Sequence, residues 1–138
     1  MVLVESVEYC IFLKEFFKEN CPDKYVDIIH GSISKRDEII DMMRSRHDMI
    51  LVATYECMST GVSINNIMHL HFPDGGRSEI RIKQSCGRVL RIHPLKDRAN
   101  VWDYQDNMLK SSFKNHAAAR NAIYQAEEHI TQQYETTI

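Results

Sequence analysis

Five short apolar runs separated by stretches of helical periodicity constrain this chain more than any other feature. They are Val2-Leu3-Val4, Tyr25 to Ile29, Met49 to Ala53, Ile67 to Phe72 and Val101 to Tyr104, recurring at spacings of roughly 20–30 residues. The middle runs are nearly continuous in apolar residues, as strands buried on both faces of a parallel sheet require. Between them, Ser6 can cap a helix through about Glu19, with Tyr9, Leu13, Phe16 and Phe17 at helical spacing and Pro22 beyond its end. Ser34 can cap a second helix, with Ile39, Ile40 and Met43 on one face. Gly75-Gly76 marks a loop, Ser78 can cap a third helix, and Pro94 stops it. A long polar helix is predicted from about Ser112 to Tyr134, around the strong formers Ala117-Ala118-Ala119. Alternating strands and helices imply an α/β sandwich with a mainly parallel sheet of five or six strands and a C-terminal helix. Ligands of such folds gather at the carboxyl ends of the strands, so chemistry is expected after Ile29, Ala53 and Phe72.

A chain of 138 residues suits one domain with one core. Its net charge is −2 and its pI about 6.4, which excludes a molecule coated in positive charge. One run is nevertheless basic: Arg77, Arg81, Lys83, Arg88, Arg91, Lys96 and Arg98 against only Glu79 and Asp97. That run fits either a polyanion-binding surface or a solvated helix face, and charge alone does not choose. No apolar run approaches the roughly 18 residues that span a bilayer, so no membrane contact is expected. Met1-Val-Leu-Val-Glu5 lacks the flank of a signal peptide, which makes the cytoplasm the expected location. Cys10, Cys21, Cys57 and Cys86 form no C-x-x-C pair and no regular framework, so reduced thiols are expected. His69 and His71 share one face of a predicted strand but have no third ligand nearby, and no metal site is expected.

The sharpest local signal is Gln84-Ser-Cys-Gly-Arg-Val-Leu-Arg91. Gln84, Arg88 and Arg91 fall at i, i+4 and i+7 of the third predicted helix and so share one face, while Cys86, Val89 and Leu90 can pack on the sheet. Gly87, in mid-helix, costs about 1 kcal/mol of helix propensity and lets a backbone or ligand come close. Two arginines beside a glutamine suit a phosphate: guanidinium forks carry permanent charge, and glutamine can orient a water or an oxygen. Arginines at a transferring phosphoryl group stabilise its developing charge.

Gln84, Gly87, Arg88 and Arg91 supply every fixed position of Q-x-x-G-R-x-x-R, and this segment resembles motif VI of superfamily 2 helicases. Other segments resemble the remaining motifs in the family's order. Val2-Leu3-Val4-Glu5-Ser6-Val7-Glu8 looks like motif IV, and Ile28-Ile29-His30-Gly31 looks like motif IVa. Ile50-Leu51-Val52-Ala53-Thr54 followed by Ser59-Thr60-Gly61-Val62-Ser63-Ile64 looks like motif V, and Val101 to Asp106 resembles the last strand of the lobe. The tail, from Asn115-His116 to Arg120 and Tyr124, is more narrowly similar to the UvsW-type recombination helicases of T4-like phages.

The resemblance implies a RecA-like lobe over residues 1–110 and a helical extension over 111–138. It implies the C-terminal motor lobe of an ATP-dependent helicase or translocase, acting in DNA recombination, repair or replication. Arg88 and Arg91 would reach ATP across a cleft with Gln84 beside them, and Gly61 and Ser63 would lie near the nucleotide. His30, Gly31, Thr54, Ser59 and Thr60 would hold the backbone of branched or single-stranded DNA, or of RNA. Two positions depart from the family: Ser63 stands where many relatives have aspartate, and Thr54 lies seven residues before Gly61 where many have six.

No G-x-x-x-x-G-K-[ST] occurs, so no loop of this chain can cradle nucleotide phosphates. Asp37-Glu38-Ile39-Ile40 imitates a DExx box but falls inside an amphipathic helix, not at the end of a strand. The chain alone therefore should not hydrolyse ATP, and ATP and Mg2+ would be held mainly by an N-terminal RecA-like partner lobe. Two readings stand beside this one: a non-catalytic module of the same fold that binds nucleic acid or a partner, and an unrelated α/β nucleotide binder.

Overall fold

The computed structural model describes residues 1–59, 62–74, 78–105 and 111–135. All five predicted strands form, as β1 (Val2–Val4), β2 (Tyr25–Ile29), β3 (Met49–Thr54), β4 (His69–Phe72) and β5 (Asn100–Asp103). They make one sheet in the order β2-β3-β1-β4-β5, with every neighbouring pair parallel. The α/β expectation holds, with five strands. The fourth run is shorter than predicted, since Ile67 and Met68 precede the strand. Because the strands are parallel, the residues following Val4, Ile29, Thr54, Phe72 and Asp103 line a single edge.

Alternation along the strands divides two apolar layers. Val2, Val4, Ile28 and Val52 face one side and pack with Cys10 and Leu13 of helix α1 (Val7–Asn20). Leu3, Ile29, Leu51, Ala53, Leu70 and Phe72 face the other. That side carries α2 (Arg36–Ser45), the short α3 (Tyr55–Ser59) and α4 (Glu79–Val89) through Ile39, Ile40, Met43, Met58, Ile82, Cys86 and Val89. Burying one such aliphatic side chain contributes roughly 1.5–3 kcal/mol. Helix α1 starts as predicted, the Ser6 hydroxyl accepting from the Tyr9 N–H at 3.1 Å. Helix α2 starts later than predicted, with Lys35 and not Ser34 at its N-cap.

Helix α5 (Ser111–Ala126) ends eight residues before the predicted Tyr134. Its end is a Schellman turn: His129 N–H bonds Tyr124 O at 3.0 Å and Glu128 N–H bonds Gln125 O at 3.1 Å. Glu128 occupies the left-handed position there, at φ 57°, which explains why no glycine announced the stop. Ile123 and Tyr124 pack against the α4 side of the core, so the extension is docked on the lobe. The predicted Gly75-Gly76 loop and the proposed boundary at residue 110 lie outside the described residues. No helix among the described residues is long and apolar enough to cross a membrane.

Candidate functional site

Helix α4 turns Ile82, Ser85, Cys86 and Val89 inward and leaves Gln84 exposed and Arg88 half-buried at its outer side. The helix is shorter than predicted. It closes at Val89, where the Leu90 N–H reaches Cys86 O at 3.0 Å. Lys96 explains the early stop: its ammonium donates to Val89 O at 2.6 Å, satisfying a terminal carbonyl with a cation at the negative end of the dipole. Arg91 therefore lies in the turn after the helix, its N–H 3.4 Å from Arg88 O, and does not share a helical face with Gln84 and Arg88 as the spacing predicted. Leu90, expected on the sheet, is instead exposed.

The two arginines still converge, through tertiary contacts. Arg88 Nη1 donates to the Val62 carbonyl, and Arg91 Nη1 donates to the Ser63 hydroxyl. Burial first, and the neighbouring Arg91 charge second, weaken the hold of Arg88 on its proton relative to an ordinary guanidinium. Two cations close enough to repel one another are a place where an added polyanion is favoured. A shallow cleft beside them is lined by Tyr55, Met58, Arg81, Gln84, Ser85 and Arg88. Arg81 itself is engaged, both Glu5 carboxylate oxygens accepting from its Nη1 at 2.8 and 2.7 Å, and its guanidinium carbon lies 5.9 Å from the Tyr55 ring centre.

The stretch from Val62 to Ile67 is held by side chains that no motif predicted. Arg44 Nε of α2 donates to Ser63 O at 2.9 Å. The Asn66 amide donates to Met43 O at 2.8 Å, near the end of α2. The Lys96 ammonium meets three carbonyls, Val89, Asn65 at 2.8 Å and Ile67 at 3.2 Å, matching its three donors. Of the basic run, Lys96 thus acts internally, and Lys83 pairs with Glu79 and Glu127 at 3.2 and 2.8 Å. Among the described residues, a polyanion-binding reading of that run accordingly narrows to Arg88, Arg91 and the exposed Arg98. The basic run contained Lys96, but nothing in the sequence linked it to those carbonyls, and Arg44 carried no signal at all.

The remaining predicted residues are spread along the same sheet edge. His30 and Gly31 form the turn after β2, where Ile33 N–H bonds His30 O at 3.0 Å and a side chain added at Gly31 would meet nothing within 4 Å. Thr54 ends β3 beside Val4 and is only 5% exposed, its strand running directly into α3. Ser59 closes α3, while its side chain and the whole of Thr60 and Gly61 lie outside the described residues. His69 and His71 stand side by side but are committed to neighbours, His69 Nδ1 accepting from Trp102 Nε1 at 3.1 Å and His71 Nδ1 lying 2.8 Å from the Tyr104 hydroxyl. Among the described residues no group of three or more His, Cys, Asp or Glu side chains could hold a metal ion.

Residues 1–93 match the helicase conserved C-terminal domain. The ATP-dependent DNA helicase uvsW of Enterobacteria phage T4 is 44% identical over 59 residues, which is 43% of this chain and 12% of that protein. The RNA helicase NPH-II of vaccinia virus is 30% identical over 107 residues, 68% of this chain and 16% of the other. The chain therefore spans about an eighth to a sixth of these relatives. Among solved structures, T4 UvsW superposes with a TM-score of 0.71 at 24% identity, covering 91% of this chain and 28% of that one. The C-terminal domain of the DEAD-box protein Dbp5 superposes with a TM-score of 0.69 at 18% identity, covering 94% of this chain and 70% of its own. The fold is that of RecA-like helicase C-terminal lobes.

Proposed function

This chain belongs to the helicase conserved C-terminal domain family, and on that premise we propose that it is the C-terminal motor lobe of an ATP-dependent DNA helicase or translocase. The observation that carries the reading is the convergence of Arg88 and Arg91 beside Val62 and Ser63, at the end of the helix bearing Gln84. Two mutually repelling guanidiniums are the right chemistry for a polyphosphate presented by a facing N-terminal lobe, which would also hold Mg2+. When bound between the lobes, ATP supplies the free energy of phosphoryl transfer to water. From their seats on Val62 and Ser63, Arg88 and Arg91 would turn further N–H donors toward phosphate oxygens, charge-assisted contacts that favour closure of the lobes. Gln84, exposed one turn earlier, orients water or an oxygen in the cleft. Opening of the lobes after hydrolysis would release those phosphate contacts.

Backbone amides of the His30–Gly31 turn, with Ser59 to Gly61, are assigned to the nucleic-acid backbone, and contact with phosphates implies weak sequence preference and strong salt dependence. Thr54, buried here, joins them only if the junction of β3 and α3 opens. We assign DNA as the substrate and the cytoplasm of a host cell as its setting, because the 44% match is to a phage DNA helicase, and the resemblance of the tail implies recombination or repair as the process. The reading is tested in the motor in which this lobe faces a phosphate-binding lobe. Arg88→Ala is expected to reduce nucleic-acid-stimulated ATP hydrolysis by about 10³-fold or more. An unchanged rate removes the finger assignment, and stimulation by RNA but not DNA transfers the assignment to RNA.

A further inference from the structure

We propose that Arg44, on helix α2 and outside every recognised motif, is a positioning residue that aims Arg91 by way of Ser63. The inference rests on the motor reading, because Arg91 needs aiming only if it acts on a nucleotide. Among the described residues, Ser63 is where an arginine of α2 and an arginine of the α4 turn meet. Arg44 Nε donates to its backbone carbonyl at 2.9 Å, while Arg91 Nη1 donates to its hydroxyl.

The direction of that hydroxyl is determined. Ser63 Oγ lies 2.9 Å from Asn65 Oδ1, an oxygen that can only accept, so the hydroxyl proton points to Asn65 and the lone pairs turn toward Arg91. The Asn65 backbone is held in turn, its main-chain carbonyl accepting from the Lys96 ammonium at 2.8 Å. On the other side, the Arg44 fork is oriented by Asp41 Oδ1, 2.8 Å from its Nη1. Ser63 is thus clamped on its carbonyl by α2 and oriented on its hydroxyl by the loop, and Arg91 rests on the result.

The strength of the seat suits this role. A hydrogen bond from a cation to a neutral hydroxyl is weaker than a charge-assisted contact with a phosphate. The Ser63 seat uses one Arg91 donor and leaves the fork others to offer a phosphate. The Arg44 side chain bonds Ser63 O and Asp41 and so acts on the loop, not on a phosphate. Its contribution is geometric, and a displacement of about 1 Å at a catalytic group can cost on the order of 10²-fold in rate.

The test is a double-mutant cycle on DNA-stimulated ATP hydrolysis, again in the motor that contains this lobe. Arg44→Ala is expected to lower kcat about 10-fold with little change in the KM for ATP, the pattern of a lost transition-state contact. In an Arg91→Ala background, Arg44→Ala is expected to cost nothing further. Arg44→Lys keeps the charge but loses the fork, so it is expected to behave as Arg44→Ala. Full activity of Arg44→Lys shows that charge alone matters and overturns the proposal, as does an additive loss in the Arg91→Ala background. Normal activity of Arg44→Ala overturns it while leaving the motor reading intact. A wild-type motor with no nucleic-acid-stimulated hydrolysis overturns both.

Discussion

Arg120 of α5 closes on the Asp103 carboxylate at the end of β5, its Nε and Nη2 each 2.7 Å from a carboxylate oxygen. The arginine side chain is 2% exposed and the aspartate 12%, and the Tyr124 hydroxyl adds a third donor to Asp103 at 3.0 Å. A pair this deep is costly to form and still more costly to halve, because the remaining charge has no water to return to. The same contact fastens the C-terminal helix to the strand edge that carries the candidate site.

Halving the pair should therefore loosen the extension and the lobe together. Asp103→Asn and Arg120→Met are each expected to lower unfolding free energy by roughly 3–5 kcal/mol. Combining them should recover much of the loss, since both charges are then gone. Urea midpoints of the single and double variants measure this. Simple additivity in the double variant would show that the two side chains act separately.

The strands were readable because a sheet covered on both faces demands apolar runs, and Met49 to Ala53 has no other use for them. Helix ends were less readable, for physical reasons that differ from case to case. Helix α3 has five residues, too few to display a period. Helix α4 ends where Lys96, seven positions past Val89, reaches back to its carbonyl, a contact no local pattern encodes. Helix α5 stops at a left-handed glutamate, where the usual signal is glycine. At the site, Gln84, Arg88 and Arg91 stood out because their spacing carries a motif. Arg44 and Lys96 did not, because their roles exist only after α2 and the loop beyond α4 have been brought to Val62–Ile67.

His71 provides a pH signature. Burial first, then the chain's terminal amine and His69, push its pKa from 6.5 down to about 4. The folded state thus holds His71 neutral where the unfolded chain protonates it. The unfolded state binds more protons in that window, so stability is present above about pH 6.5 and is lost as pH falls toward 4. The ring is partly solvated, so screening limits the effect to about 1–2 kcal/mol. Urea midpoints from pH 7 to pH 4 should fall more steeply for the wild type than for His71→Gln. Parallel slopes would remove His71 as the source.

Gly87 separates stability from function. A side chain added there would meet nothing within 4 Å, and the residue sits in α4 two positions before its end. Nothing within the described lobe therefore requires a glycine, although it weakens the helix by up to about 1 kcal/mol. Gly87→Ala should raise the Tm of this chain by about 2–5 °C. If the missing side chain leaves room for the facing lobe or its nucleotide beside Arg88, the same substitution should slow ATP hydrolysis by the motor. The useful result is the pair of measurements on one variant. A stabilised lobe in a slowed motor means that the glycine is kept for what approaches it. A stabilised lobe in a motor of normal rate means that the helix could have been stronger at no cost, and that the approach is made elsewhere.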